Sequence, residues 1–427
     1  MFIQQIADNF FWRNSSRKAA AFVGFFACCW LAVAAATMGV SRFLSDYGLR
    51  AEVTGAVDKA ASLRADDAEA PFTRAMLFTD SAEFFAAARK LEQAIALRPR
   101  DHFLWVELGL ARDQAGETEA AIAAFKEATR LAPYYAQPRW QLGNLLVRAG
   151  RYEEAFSELR GAIASNPELF PNAIDLAFGV YAGDIAAVEL AIQPNTPAAQ
   201  FALARILAKR GKAKDALRLF RAIGQLSAEQ RQSLLTDLFD ARQFSAAYDV
   251  WASGFDERAI GGRESVIDGG FESEIRVGTA PAFGWRIERD QKGVKAFLSA
   301  REPQSGARSL ILEWSGDPPG WTTAVSQVML VSANTRYRLS FWARAEDLVT
   351  AVSPLVTIHD SANSERPLAL SVPLIQTTHE WRQYSVQFQT GADTQAVTLA
   401  VRREACASPP CPIFGRIWLD DFALSRQ

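Results

Sequence analysis

The sequence predicts a multidomain α + β chain: an N-terminal transmembrane helix, an α-solenoid of short helical repeats and a C-terminal antiparallel β-sandwich. Three observations lead there. Residues 19–40 carry no charge, proline recurs at 99, 133 and 167 with a period of 34, and past residue 253 alanine-rich patterns give way to short alternating segments. At 427 residues the chain exceeds what one core usually holds, so several domains are expected. Its 46 basic and 48 acidic residues leave a net charge of −2, which removes the electrostatic case for nucleic acid as a partner.

Residues 1–18 form a leader, and 19–40, AAAFVGFFACCWLAVAAATMGV, the span. At about 1.5 Å per residue this run covers a hydrocarbon core of about 30 Å. Arg13, Arg17 and Lys18 precede it, against Arg42 and Arg50 after it. That modest asymmetry favours the N-terminus inside and the rest exported; taken with the combination of domains, the expectation is a single-pass protein of a bacterial inner membrane, N-terminus cytoplasmic and bulk periplasmic. The alternative is a cleaved signal peptide, with Ala32-Val33-Ala34 or Ala34-Ala35-Ala36 as the cleavage site, although a usual signal core runs only about 7–15 residues. Cys28 and Cys29 lie inside the span as small hydrophobes. Cys406 and Cys411 bracket CASPPC, where a short disulfide suits an exported compartment; free thiols or a metal pair are the alternatives. With His102, His359 and His379 as the only histidines, zinc-ligand spacing is lacking.

Residues 41–67 form a connecting helical segment or half repeat, and 68–252 the repeats. LEQAIALRP, FKEATRLAP and LRGAIASNP each close on one of the periodic prolines, among them Pro133 and Pro167. In 34-residue register Ala87, Ala121 and Ala155 share a position. Leu91, Phe125 and Leu159 follow four residues later, and Ala94, Ala128 and Ala162 three after those, which is one helix face. Trp105, Leu108 and Gly109, then Leu142 and Gly143, mark a preceding helix, separated from the second by QAGET and RAGRY. Residues 170–196 are too short for a full unit, and the pattern returns in LARILAKRGKAKDALRLF and once more around Leu234, Ala247 and Trp251, for about five units.

This pattern resembles the tetratricopeptide repeat: W-x2-L-G on a first helix, A-x3-F-x2-A on a second, then Pro. Residues 102–135 match all signature positions but one, where Arg112 stands for an aromatic. The signature residues are packing residues. The resemblance implies a concave groove that takes a peptide or a partner protein.

After a linker at 253–265, residues 266–427 hold segments with strand alternation: SLILEW, TAVSQVMLV, YRLSFWAR, SPLVTIHD, WRQYSVQFQT, AVTLAVRR and GRIWLDDFAL. In YRLSFWAR the residues Tyr337, Leu339, Phe341 and Ala343 point one way, leaving Trp342 and Arg344 on the wet face. One alternative for the tryptophans is that Trp285, Trp314 and Trp418 seal the core and ends of the sandwich and that Trp342 packs under a neighbouring loop or against the repeats.

In order, IDGGFES, GW, GARSLIL, VSQVMLVSANTRYRLSFWAR, EWRQYSVQFQT and IWLDDFAL resemble the jelly roll of family 4/9 carbohydrate-binding modules, of the galactose-binding-like superfamily. The resemblance implies a sheet face on which aromatic rings stack on pyranoses while Arg, Asn or Gln bonds hydroxyls. Trp342, Arg344, Trp321, Trp381, Gln383, Gln387 and Arg402 are the candidates. It also implies a structural calcium ion, with Glu272, Asp420 and Asp421 as ligands. No other cofactor is expected.

No segment is left over for a catalytic domain, and G-x-S-x-G and H-E-x-x-H motifs are absent, so an enzyme is not expected. The combination describes a membrane-anchored scaffold whose repeats bind a partner protein and whose sandwich binds a polysaccharide in envelope or exopolysaccharide assembly. Two alternatives remain: a purely structural interaction scaffold without a sugar, and a carbohydrate-processing protein targeted by the sandwich.

Overall fold

The computed structural model describes residues 2–255, 262–277, 283–287, 292–318, 322–404, 406 and 410–427. The chain divides into two compact units, Met1–Gln193 and Pro194–Gln427.

The first unit opens with α1 (Phe2–Arg50), one uninterrupted helix. Its part Phe22–Arg50 contains a window long and apolar enough to cross a membrane. The helix does not stop at residue 40, where the apolar run ends. It continues for another ten residues as the first arm of a hairpin with α2 (Thr54–Leu63), within the segment 41–67. The sequence favours this close approach with small side chains on one face. Ser41 and Ser45 are buried, Ser41 Oγ donates to the Ala60 carbonyl at 3.0 Å, and a Cβ on Gly48 would lie 2.6 Å from Val57. Leu44 and Leu49 pack with Val57, Ala60, Ala70 and Leu77.

Three regular hairpins follow: α3 (Glu69–Asp80) with α4 (Phe84–Leu97), α5 (His102–Gln114) with α6 (Thr118–Leu131), and α7 (Ala136–Arg148) with α8 (Tyr152–Ser165). Gly116 and Gly150 turn α5 into α6 and α7 into α8 at φ +80° and +74°, a backbone that glycine adopts without a Cβ clash. Ala121, Phe125 and Ala128 are buried, as are Ala155, Leu159 and Ala162. Leu108 and Leu142 are buried too, while Trp105 is half-buried with its Nε1 donating to the Pro99 carbonyl at 3.0 Å. Pro133 ends one unit and Pro167 starts a short 3-10 turn, Pro167–Leu169. Residues 170–196 then form a shortened pair, α9 (Phe170–Val180) and α10 (Ile185–Ile192), where the sequence offered no complete unit. Asp184 makes the second helix possible by accepting from Ala186 N and Ala187 N.

The second unit carries two more pairs, α11 (Pro197–Lys209) with α12 (Ala213–Ile223) and α13 (Ala228–Asp240) with α14 (Phe244–Ala252). The helical pairs from α3 to α14 thus number six rather than the five expected. The unit border at 193/194 also groups these last four helices with the sandwich. Phe283, 1% exposed, is the joint: its ring lies 5.2 Å from Phe239, 5.1 Å from Tyr248 and 5.7 Å from Trp251.

The sandwich strands are β1 (Arg276–Val277), β2 (Arg286–Ile287), β3 (Val294–Ser299), β4 (Ser309–Gly316), β5 (Thr323–Leu330), β6 (Arg336–Thr350), β7 (Leu355–Asp360), β8 (Asn363–Leu370), β9 (His379–Gln389), β10 (Ala396–Arg402) and β11 (Ile413–Arg426). They form a six-stranded sheet, β1-β2-β5-β10-β7-β8, and a five-stranded one, β3-β4-β11-β6-β9. Between the sheets lie Leu310, Leu312, Trp314, Leu339, Phe341, Ala343, Ile417 and Leu419 with Val397, Leu399 and Val401. The period of two therefore sends Trp342, Arg344, Trp418 and Asp420 to the outer face of the five-stranded sheet. Trp285 and Trp314 do seal the core; Trp418 does not, since its neighbours Ile417 and Leu419 take the inward positions.

A Cβ on Gly109 would sit 2.6–2.8 Å from the Phe125 ring. Gly109→Ala is expected to destabilise the repeats by about 1–3 kcal/mol through overpacking, outweighing alanine's better helix propensity. Urea unfolding of the two proteins followed by far-ultraviolet circular dichroism measures it, and an unchanged midpoint would refute the tight crossing.

Candidate functional site

Antiparallel register assembles a row of side chains across the outer face of the five-stranded sheet. Phe297 stands opposite Ile311, Ile311 opposite Trp418, and Trp418 opposite Arg344. One step along the strands, Trp342 stands between Gln383 on β9 and Asp420 on β11. Trp381 shares the outer phase of Gln383 and is half-buried, whereas Gln383 and Gln387 are exposed. The Arg344 guanidinium lies 5.2 Å from the centre of the Trp418 ring, a cation–π contact. Trp418 is only 2% exposed although it faces away from the core.

Arg344 lies over its ring, and the β3–β4 connection, residues 300–308, folds down on the same face. Glu302 pairs with Arg344, and its carbonyl accepts from Trp381 Nε1 at 3.2 Å. The strand order places β11 and β6 between β4 and β9, so this loop crosses more than 10 Å of sheet at about 4.8 Å per strand. Its far end is rooted on carboxylates. Asp420 Oδ2 accepts from Gln304 N at 2.9 Å and Ser305 N at 3.3 Å, and Asp421 Oδ1 from Ser305 Oγ at 2.7 Å. Glu272 Oε1 accepts from Ala307 N at 2.8 Å and Arg308 N at 3.3 Å.

Glu272, Asp420 and Asp421 are therefore brought together, around a point where a Cβ on Gly270 would lie within 3.9 Å of all three side chains. In this arrangement their oxygens accept hydrogen bonds from protein donors. Among the described residues no three His, Cys, Asp or Glu side chains converge in a geometry fit to hold a metal. Asp420 is fully buried, and this burial, reinforced by the neighbouring Asp421 charge, pushes its carboxyl pKa up to about 6 against the pull of its N–H donors.

The other candidates separate. Arg402 belongs to β10 of the six-stranded sheet, where Nε donates to Thr323 Oγ1 at 2.9 Å and Nη1 lies 3.2 Å from His359 Nε2. Matching alternation did not reveal which sheet the strand joins. Trp321 lies outside the described residues. Cys406 and Cys411 are disulfide-bonded with Cα atoms 6.0 Å apart. Beside them Arg403, 2% exposed, donates to the Cys411 carbonyl, and burial lowers its pKa. Two residues of the face were missed in the sequence, Trp418 and Glu302. The signal for Trp418 was present, since it is two residues before Asp420 on one strand; Glu302 sits in a loop with no periodicity to locate it.

Comparison with known proteins agrees with both halves. Residues 263–408 match the family model of a carbohydrate binding domain, and residues 72–136 and 114–176 match models of the tetratricopeptide repeat. The chain carries tetratricopeptide repeats in its N-terminal part and a carbohydrate-binding-type domain behind them. Over 98 residues it is 29% identical to a peroxisomal targeting signal receptor of Candida albicans, covering 23% of this chain and 17% of that one. The chain thus spans about a sixth of the length of the curated relatives it matches. Similar solved structures include MamA, at 18% identity and a TM-score of 0.30 over 40% of this chain and 87% of the other. Another is TmCBM61 in complex with β-1,4-galactotriose, at 22% identity and a TM-score of 0.27 over 39% of this chain and all of the other.

The raised Asp420 pKa has a definite sign. Between about pH 4 and pH 6 the folded state holds more protons than the unfolded chain, so stability falls as pH rises through that window, by on the order of 3 kcal/mol at its upper end. In calcium-free buffer, thermal unfolding of Asp420→Asn is expected to show a shallower decline than wild type from pH 4 to pH 7. Parallel declines would mean that another group sets the slope.

Proposed function

We propose that the protein is an exported, membrane-anchored scaffold, with residues 19–40 as the span and 68–252 as a repeat array that binds a partner protein. Its sandwich, residues 266–427, binds a polysaccharide of the cell envelope or an exopolysaccharide assembly line. The observation that carries the sugar half is the outer face of the five-stranded sheet. In a domain matching a carbohydrate-binding family, Trp342, Arg344, Trp381 and Gln383 lie on that one surface. Aromatic rings offer flat apolar area to pyranose C–H groups, and the guanidinium and amide offer donors to hydroxyls. The anchor rests on the apolar window within Phe22–Arg50 and on the basic residues before it. The protein-binding half rests on the repeat family, whose stacked hairpins present extended grooves.

One observation favours the alternative of a scaffold without a sugar: the loop 300–308 already occupies the face. A single experiment decides between them. The full chain in detergent is titrated with a panel of glycans, wild type beside Trp342→Ala, with calcium and with chelator. Saturable binding that weakens about tenfold or more in Trp342→Ala is the expected result, the loss of one stacking ring. Absence of binding under both conditions selects the scaffold. The chelator arm also tests the expected calcium ligands, because an unchanged melting temperature assigns Glu272, Asp420 and Asp421 to the loop alone. Export is checked separately by a reporter fused after Gln427, active on the periplasmic side; cytoplasmic activity would overturn the topology.

A further inference from the structure

Arg344 lies in the middle of the outer face with 15% of its side chain exposed, against the Trp418 ring and under the Glu302 carboxylate. Glu302 itself is 61% exposed and sits at φ 51°, a left-handed backbone that a side chain such as glutamate rarely adopts. Its carboxylate takes the Arg344 guanidinium and its carbonyl takes Trp381 Nε1. One loop residue thus uses two of the donors that this face has to offer a ligand.

The loop is held unevenly. Residues 304–308 are rooted on Asp420, Asp421 and Glu272, while the tip reaches the face through Glu302 alone, whose carboxylate is the exposed partner of an otherwise enclosed guanidinium. On this face Trp418 Nε1, and at the root of the loop Ser309 Oγ, are buried without a hydrogen-bond partner among the described residues. Unmet polar groups penalise the closed arrangement. Tip release about a fixed root would free the Arg344 guanidinium.

We propose that this face takes an acidic polysaccharide, a glycan bearing uronate carboxylates, and that Glu302 stands in for that carboxylate when the face is empty. The inference rests on the sugar-binding reading and names its ligand class. An enclosed guanidinium that exchanged Glu302 for a neutral hydroxyl would trade a charge-assisted pair for a weaker bond. A uronate restores the pair while its ring meets the aromatic row. Glu346 and Glu380 act on Arg344 electrostatically as well, so an incoming anion is accepted in exchange for Glu302 rather than in addition to it.

The test uses the full chain in detergent with polygalacturonate, its fully methyl-esterified form and neutral β-1,4-galactan as probes, wild type beside Glu302→Gln. Glu302 is exposed, so the substitution leaves folding intact. Wild type is expected to bind polygalacturonate about tenfold or more tightly than the ester, and Glu302→Gln to tighten polygalacturonate binding about tenfold further. Equal binding of ester and acid, or preference for galactan, overturns the acidic ligand and leaves the sugar-binding reading in place. Polygalacturonate binding indifferent to Glu302→Gln puts the anion elsewhere on the chain and also overturns it. If neither protein binds any probe, the acidic ligand is overturned, and the glycan panel decides the sugar-binding reading by itself.

Discussion

A carboxylate buried in the middle of a strand needs donors, and Asp420, at the irregularity of β11, takes two of them from the backbone of Gln304 and Ser305. Much of the outer face follows from that requirement. The donors belong to the β3–β4 connection, which is thereby drawn over the sheet instead of projecting into solvent. Once rooted there it reaches Trp381 and Arg344, and Arg344 in turn lies over the buried Trp418 ring. One buried acid in the middle of β11 thus sets how much of the face a ligand meets.

The helical part obeys a different constraint, the separation of crossing helices. Gly109 against Phe125, Gly143 against Leu159 and Gly48 against Val57 each leave no room for a Cβ. The first two recur at the repeat period. The third does not belong to a full repeat, yet it docks the end of the apolar helix α1 on α2 by the same means.

These two constraints explain what could be seen in the sequence. A 34-residue period is visible because every unit buries the same stripe, and the alternation of β6 is visible because Tyr337, Leu339, Phe341 and Ala343 all enter one core. The shortened α9–α10 pair escaped notice because its helices depend on the Asp184 cap and on Ile174, Val188 and Ile192 rather than on the signature positions. Arg402 was misplaced beside Trp342 because phase along a strand says which face a residue takes but not which sheet the strand joins. Glu302 was invisible because its position depends on acids more than a hundred residues away in Asp420 and Asp421.

The continuity of α1 has a mechanical meaning. From Phe22 to Arg50 the helix runs without a break, and its last turns are clamped by Ser41, Leu44 and Gly48 to the first hairpin. Those residues span roughly 43 Å at 1.5 Å each, so the segment is a lever with no hinge. Leaning its apolar end by about ten degrees would carry the hairpin sideways by roughly 7 Å. Whatever grips the apolar end therefore aims the first repeats, and a force on those repeats is felt directly at the other end.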